Sequence, residues 1–281
     1  MLRSSSIPAN FLASLFAVTV LLLAGAASSF AQRATPSPTP ERQPQVDKNQ
    51  KNFTADQIVE SAIFIYGTRP LLAQIRRNGV ERGRVCKPTC EMPGKTEEAT
   101  YERRFVRGEN SEKDKVRVDQ KMPSLEYSLI YGDGRLWGII NGASFTPRQD
   151  AANTFLSQNR HSIENLLRYK EEGSTLALIG KDKQKGLDLY VIEMVGKDKQ
   201  KTRYFISSRT LHVVWLEYED GAGSSPVKFR RSFHDYRYAQ GTLVPFRTVL
   251  LQDGQQTQET RILNVTYGIK LDDSLFKSPE A

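Results

Sequence analysis

The chain has 281 residues, 40 of them basic and 32 acidic, for a formal charge of +8. The basic residues are spread along the chain among acidic ones and form no RNA- or DNA-binding fingerprint, so nucleic acid is excluded as a partner. A weak contact with an anionic membrane surface is the better use for this charge.

Residues 1–31 read as a cleavable export signal. Arg3 supplies the charged start, 11–24 the apolar run and Ser29-Phe30-Ala31 the small-x-small site, with the cut after Ala31. The apolar run is shorter than the ~20 residues needed to cross a bilayer. Residues 32–52 carry Pro36, Pro38, Pro40 and Pro44 among polar side chains and read as a disordered, partly extended tether. Residues 53–281 are long enough for one sizeable core and read as a single domain.

Thr54-Ala55-Asp56-Gln57 has the pattern of a capping box. Ile58, Ala62, Ile65 and Tyr66 then mark one apolar helical face. Gly67 and Pro70 interrupt it, and 71–75 reads as a further helical turn ended by Asn78-Gly79. Cys86 and Cys90 are the two cysteines of the chain. In an exported protein they favour a disulfide pinning a small turn, with free thiols or a metal or redox pair as the alternatives.

Short strands are expected over 100–106, 115–120, 125–131 and 135–140, the last two joined through Gly132-Asp133-Gly134. Pro147 opens a second helix reaching to about Lys170, with Ala152, Phe155, Ile163, Leu166 and Leu167 as its apolar stripe. From 175 onward seven strands with short links indicate an antiparallel meander: 175–179, 187–195, 202–207, 211–219, 227–236, 243–252 and 256–267. The hexapeptide Gly-Lys-Asp-Lys-Gln-Lys occurs at 180–185 and again at 196–201, and both copies read as exposed hairpin turns.

Several of these strands are apolar at consecutive positions, as in 190–192, 211–216 and 249–251. A solvated sheet face would alternate with polar residues, so these strands are covered on both sides or line a cavity on one. No nucleophile elbow, metal-binding His-Glu-x-x-His helix or phosphate loop is present. His234-Asp235 are neighbours in a strand and point to opposite faces, so they make no ready dyad. The three histidines have no ligand spacing. Nothing here argues for an enzyme, a cofactor or a metal.

The C-terminal third carries a set of family-like segments. They are Arg203-Tyr204-Phe205-Ile206, the strand 211–218, Phe233-His234-Asp235-Tyr236, Gly241-Thr242-Leu243-Val244-Pro245-Phe246, Ile262-Leu263-Asn264-Val265 and the tail Leu271-Asp272-Asp273 with Phe276. With the order signal, helix, strands, helix, meander, this resembles the LolA/LolB-like superfamily of periplasmic outer-membrane lipoprotein carriers, as a divergent member. The resemblance implies an α+β fold: a curved antiparallel β-sheet, or half-open barrel, with helices packed on its concave side. It also implies a soluble periplasmic protein that holds acyl chains in an apolar cavity, with no covalent chemistry. Phe64, Trp137, Ile139, Phe155, Leu189, Val191, Phe205, Val214, Leu216, Phe246, Leu263 and Val265 are the candidate ligand-binding residues, in pocket or core. The expected partner is an acyl lipid or lipoprotein bound by a monomer. The alternative is an envelope protein-interaction or sensor module on the same fold, with a protein partner.

Overall fold

The computed structural model describes residues 53–91, 97–221 and 226–277. The expected signal and tether lie outside them. The described residues belong to one compact unit.

Helix α1 (Ala55–Tyr66) starts where the capping box predicts, with Thr54 N donating to Gln57 Oε1 and Gln57 N to Thr54 Oγ1. Thr68 ends the turn that follows, and α2 (Arg69–Ile75) has Pro70 in its first turn, where no amide donor is needed. Asn78-Gly79 does not stop this helix but opens β1 (Asn78–Lys87). Then come β2 (Glu97–Val106), β3 (Lys115–Met122), β4 (Leu125–Gly132), β5 (Arg135–Ile140) and the short β6 (Ala143–Phe145).

The second predicted helix is two. Helix α3 (Gln149–Arg160) ends at His161, and Ser162 caps a new helix, α4 (Ile163–Leu167), by accepting from Asn165 N. His161 leaves the helical path to place Nδ1 at 2.7 Å from Thr202 Oγ1 and its ring at 3.9 Å over Tyr218.

The meander follows as β7 (Thr175–Gln184), β8 (Leu187–Val195), β9 (Lys201–Ser207), β10 (Val213–Asp220), β11 (Val227–Ala239), β12 (Thr242–Gln252) and β13 (Gln255–Tyr267). The two identical hexapeptides diverge. The copy at 196–201 turns, with Gly196 N donating to Gln200 O and Lys199 at φ 64°. The copy at 180–185 corrects the expectation of a turn. It stays paired with β8 as far as Gln184, and the reversal falls at Lys185-Gly186, both at positive φ.

All thirteen strands form one antiparallel sheet in the order β6-β5-β4-β3-β2-β1-β13-β12-β11-β10-β9-β8-β7. Each half is a meander, and the pairing of β1 with β13 joins them. The ends, β6 and β7, are not paired with each other, so the sheet does not close. Helices α1, α2 and α4 pack on one face of β8–β12, where Ile58, Val59, Ile63, Leu166 and Leu167 meet Ile192, Tyr204, Ile206, Leu216 and Phe233. Tyr66 anchors α1: Tyr236 Oη donates to Val213 O at 2.6 Å, so Tyr66 Oη donates to Tyr236 Oη at 2.8 Å while accepting from Val213 N.

On the opposite face the β1–β13 seam is clamped. The predicted disulfide Cys86–Cys90 is formed, and Glu259 lies opposite Cys86 in register. Glu259 is fully buried and accepts from Thr89 Oγ1, Cys90 N, Arg247 Nε and Arg261 Nε. Burial alone would raise its carboxyl pKa, but these donors outweigh it and hold the group at about 2. This contribution to stability is complete above pH 4.5 and is lost as pH falls towards 2. Glu259→Gln is expected to cost about 1–3 kcal/mol at neutral pH. Thermal melts at stepped pH should show the wild-type and variant curves converging as the pH falls through this window.

Candidate functional site

Register carries the helix-bearing face across the seam: Phe233 on β11 stands opposite Thr248, Thr248 opposite Thr260, and Thr260 opposite Val85 on β1. The face is treated differently on its two sides. Over β8–β12 the helices fill it. Over β1–β4 and β13 a cavity of about 830 Å³ remains, with Phe155 and Leu156 of α3 at its wall.

The sheet wall of this cavity is read directly from alternation along strands. Tyr101, Arg103 and Phe105 come from β2, Val116, Val118 and Gln120 from β3, and Tyr127, Leu129 and Tyr131 from β4. Val85, Leu250 and Ile262 continue it across the seam. This part of the sheet wall is mostly aliphatic and aromatic, while the helix side and the rim of the cavity are mostly polar.

The polar rim is built from ion pairs. Arg168, 1 % exposed, reaches Asp114 at 2.8 Å and Glu171 at 3.0 Å, and its Nη2 donates to Gly108 O. Arg107 pairs with Glu171 at 2.7 Å, and Arg76 pairs with Glu164 at 3.2 Å while donating to Leu243 O. Together these fasten the segment 107–114 and α2 to the end of α4. Burial raises the Asp114 carboxyl pKa, and Arg168 pulls against that shift. Buried charges that answer one another in this way hold a wall in place.

Arg231 is different. It rises from β11 at the cavity edge, and its Nη1 donates to Gln158 O at 3.1 Å and His161 O at 3.2 Å. No carboxylate lies within ion-pair distance of it among the described residues. It caps the C-terminal end of α3, where carbonyls lack helical partners and favour a cation. Burial lowers its guanidinium pKa, and burial together with the charges of Arg160 and Arg231 pushes His161 down to about 4. His161 is neutral at pH 7.

The twelve sequence-derived residues separate into groups. Phe155 lines the cavity. Leu216 is fully buried under the helices. Leu189, Val191, Phe205 and Val214 come together with Trp215 in a second apolar cluster, on the other face of β8–β10. Trp215 stacks on Phe205 at 4.5 Å, and the Arg230 guanidinium lies over it. Phe64 and Leu263 are exposed, at 69 % and 63 %. Trp137, Ile139, Phe246 and Val265 are half-buried and outside the cavity lining. The lining residues that sequence reasoning missed, Tyr101 to Phe105, Val116 to Gln120 and Tyr127 to Tyr131, alternate with polar neighbours except at the buried Ile130. That period-two pattern was their available signal.

His234 is half-buried on β11 opposite Arg247. Among the described residues, no group of three or more His, Cys, Asp or Glu side chains could hold a metal ion. No described helix is long and apolar enough to cross a membrane.

No family model and no curated relative matches this sequence. Solved structures do match its fold. A LolA superfamily protein from Nitrosomonas europaea aligns with a TM-score of 0.55 at 13 % identity, over 82 % of this chain and 100 % of that one. The chain has a LolA-type fold. A DUF1329 family protein from Desulfovibrio piger aligns with a TM-score of 0.55 at 12 % identity, over 79 % of this chain and 97 % of that one. An outer membrane lipoprotein-sorting protein domain from Vibrio parahaemolyticus aligns at 0.52 and 12 % identity, over 78 % and 97 %. The fold likeness thus spans most of both chains in each comparison.

Arg231→Met removes both bonds to the end of α3, each worth about 1.5–3 kcal/mol as a charged hydrogen bond. Amide exchange in 149–160 is expected to quicken roughly ten- to hundredfold while α1 keeps its protection. Unchanged exchange in α3 would show that the helix is held by other contacts.

Proposed function

We propose that this chain is an exported, periplasmic carrier-type protein that holds the acyl chains of a lipid or lipoprotein, without covalent chemistry. The observation that supports it is the cavity of about 830 Å³ on the helix-bearing face, lined by Val85, Val118, Leu129, Phe155 and Ile262. That volume lies in the range of about 300–1,000 Å³ usual for small-molecule sites. Each methylene moved from water into such a lining gains about 0.8 kcal/mol. We read the helix-bearing face as the concave side of a half-open barrel. We read 1–31 as the export signal, 32–52 as the tether and 53–281 as the binding domain. Among the sequence-derived residues, Phe155 is the one assigned to ligand contact.

The test is organic extraction and mass spectrometry of the mature chain, purified from the periplasm without detergent. Near-stoichiometric acyl lipid is the expected result. Val118→Trp, which projects an indole into the cavity, is expected to cut lipid occupancy several-fold, and Leu263→Ser on the exposed surface should leave it unchanged. An empty protein that also refuses added acyl probes would move the reading to a protein-interaction module.

A further inference from the structure

Most charged side chains around the cavity are paired, with Glu112 and Lys197 at its rim outside the ion pairs among the described residues. Arg76, Arg107, Arg160 and Arg168 each meet a carboxylate within 4 Å, and Arg231 is spent on the carbonyls of α3. Two charges on the sheet wall have no such partner among the described residues. Glu81 on β1 and Arg103 on β2 both line the cavity, and neither is in an ion pair. They stand directly opposite each other in register, so they share a face and their side chains start side by side. Even so, they do not close on one another. Glu81 accepts the Tyr101 hydroxyl at 2.6 Å, and the Arg103 guanidinium lies 4.7 Å over the Phe105 ring.

The backbone around this step lets two aromatic rings pack close against it. On the cavity side of β1, Glu81 is flanked by Gly79 and Gly83, which face Phe105 and Tyr101 of β2. A Cβ at Gly83 would come 2.8 Å from the Tyr101 ring, and one at Gly79 would come 3.0 Å from the Phe105 ring. The two rings therefore lean into the space the glycines vacate and frame the Glu81–Arg103 step on either side. Beyond Arg103 the wall turns apolar, with Val118 opposite it on β3 and Leu129 opposite Val118 on β4.

A half-buried carboxylate and guanidinium that stand opposite in register without closing on one another can each take a counter-charge from an occupant. An amphiphile whose head carries both signs supplies both. Its anionic oxygens meet the planar fork of the guanidinium, and its ammonium meets the carboxylate. A purely anionic head would leave Glu81 facing like charge, and an uncharged head would satisfy neither group. Resting on the acyl-binding reading above, we propose that the cavity selects zwitterionic amphiphiles of the ammonium-phosphate or ammonium-carboxylate type. Glu81 and Arg103 hold the head, and the acyl chain lies over Val118 and Leu129.

The test is displacement of a fluorescent fatty-acyl probe from the mature chain by lipids with identical chains. Phosphatidylethanolamine is expected to compete about tenfold better than either phosphatidylglycerol or diacylglycerol. Arg103→Gln should erase its advantage over diacylglycerol, and Glu81→Gln should erase its advantage over phosphatidylglycerol. Glycerophosphoethanolamine, which has the head without chains, should not compete at lipid concentrations. Equal competition by all three lipids, with the probe bound normally, overturns the head-group step and leaves the carrier reading intact. Competition by the chainless head as strong as by the lipid overturns the amphiphile. Failure of the wild-type chain to take up any probe removes both readings, so the outcome does not depend on the variants folding.

Discussion

The pairing of β1 with β13 is the contact on which the architecture depends. It brings together strands about 180 residues apart in sequence and turns two separate meanders into one sheet. Closing so long a loop is entropically unfavourable, though the cost grows only slowly with length. The chain fastens the seam where it is formed. Glu259 is fully buried there beneath four donors, two of them from the Cys86–Cys90 loop and two from Arg247 and Arg261. The disulfide is small in loop entropy, and its placement gives it a different use. It presents Thr89 Oγ1 and Cys90 N to the one carboxylate buried in the seam.

Joining the two meanders creates one wide face with too few helices to cover it. The apolar surfaces of α1, α2 and α4 are spent on β8–β12, where Tyr66 and the buried leucines lock them down. Over β1–β4 there is no comparable helix, only the edge of α3. The cavity is therefore a consequence of unequal coverage, and the rim ion pairs of Arg168, Arg107 and Arg76 keep its border from collapsing inward.

Many elements were legible in the sequence because they announce themselves locally. The Thr54–Gln57 box, the Gly132-Asp133-Gly134 hairpin and the strands after 186 lie close to where their signals put them. β1 was not legible because its cavity face reads Gly79, Glu81, Gly83, Val85, with no apolar alternation. The break between α3 and α4 was hidden for another reason. His161 and Ser162 are ordinary helix residues in sequence, and the helix ends there because Thr202, more than forty positions away, takes the imidazole. Apolarity on both faces of β8–β10 has a local cause as well: one face carries the helices and the other the Phe205–Trp215 cluster. The cavity lining came instead from strands with plain alternation, because a wall open on one side needs only one apolar face.

The same division separates charges that build the protein from charges left for something else. Arg168 is among the most deeply buried groups in the chain, and three carboxylates and a carbonyl account for it. Arg231 is accounted for by the end of a helix. Glu81 and Arg103 lie as close in register as two opposite charges can, yet each is turned to an aromatic neighbour. A cross-strand pair serving only the sheet would gain most by closing on itself. Two glycines let the two rings pack against this step, and the unclosed pair between them is the part of the wall least explained by folding alone.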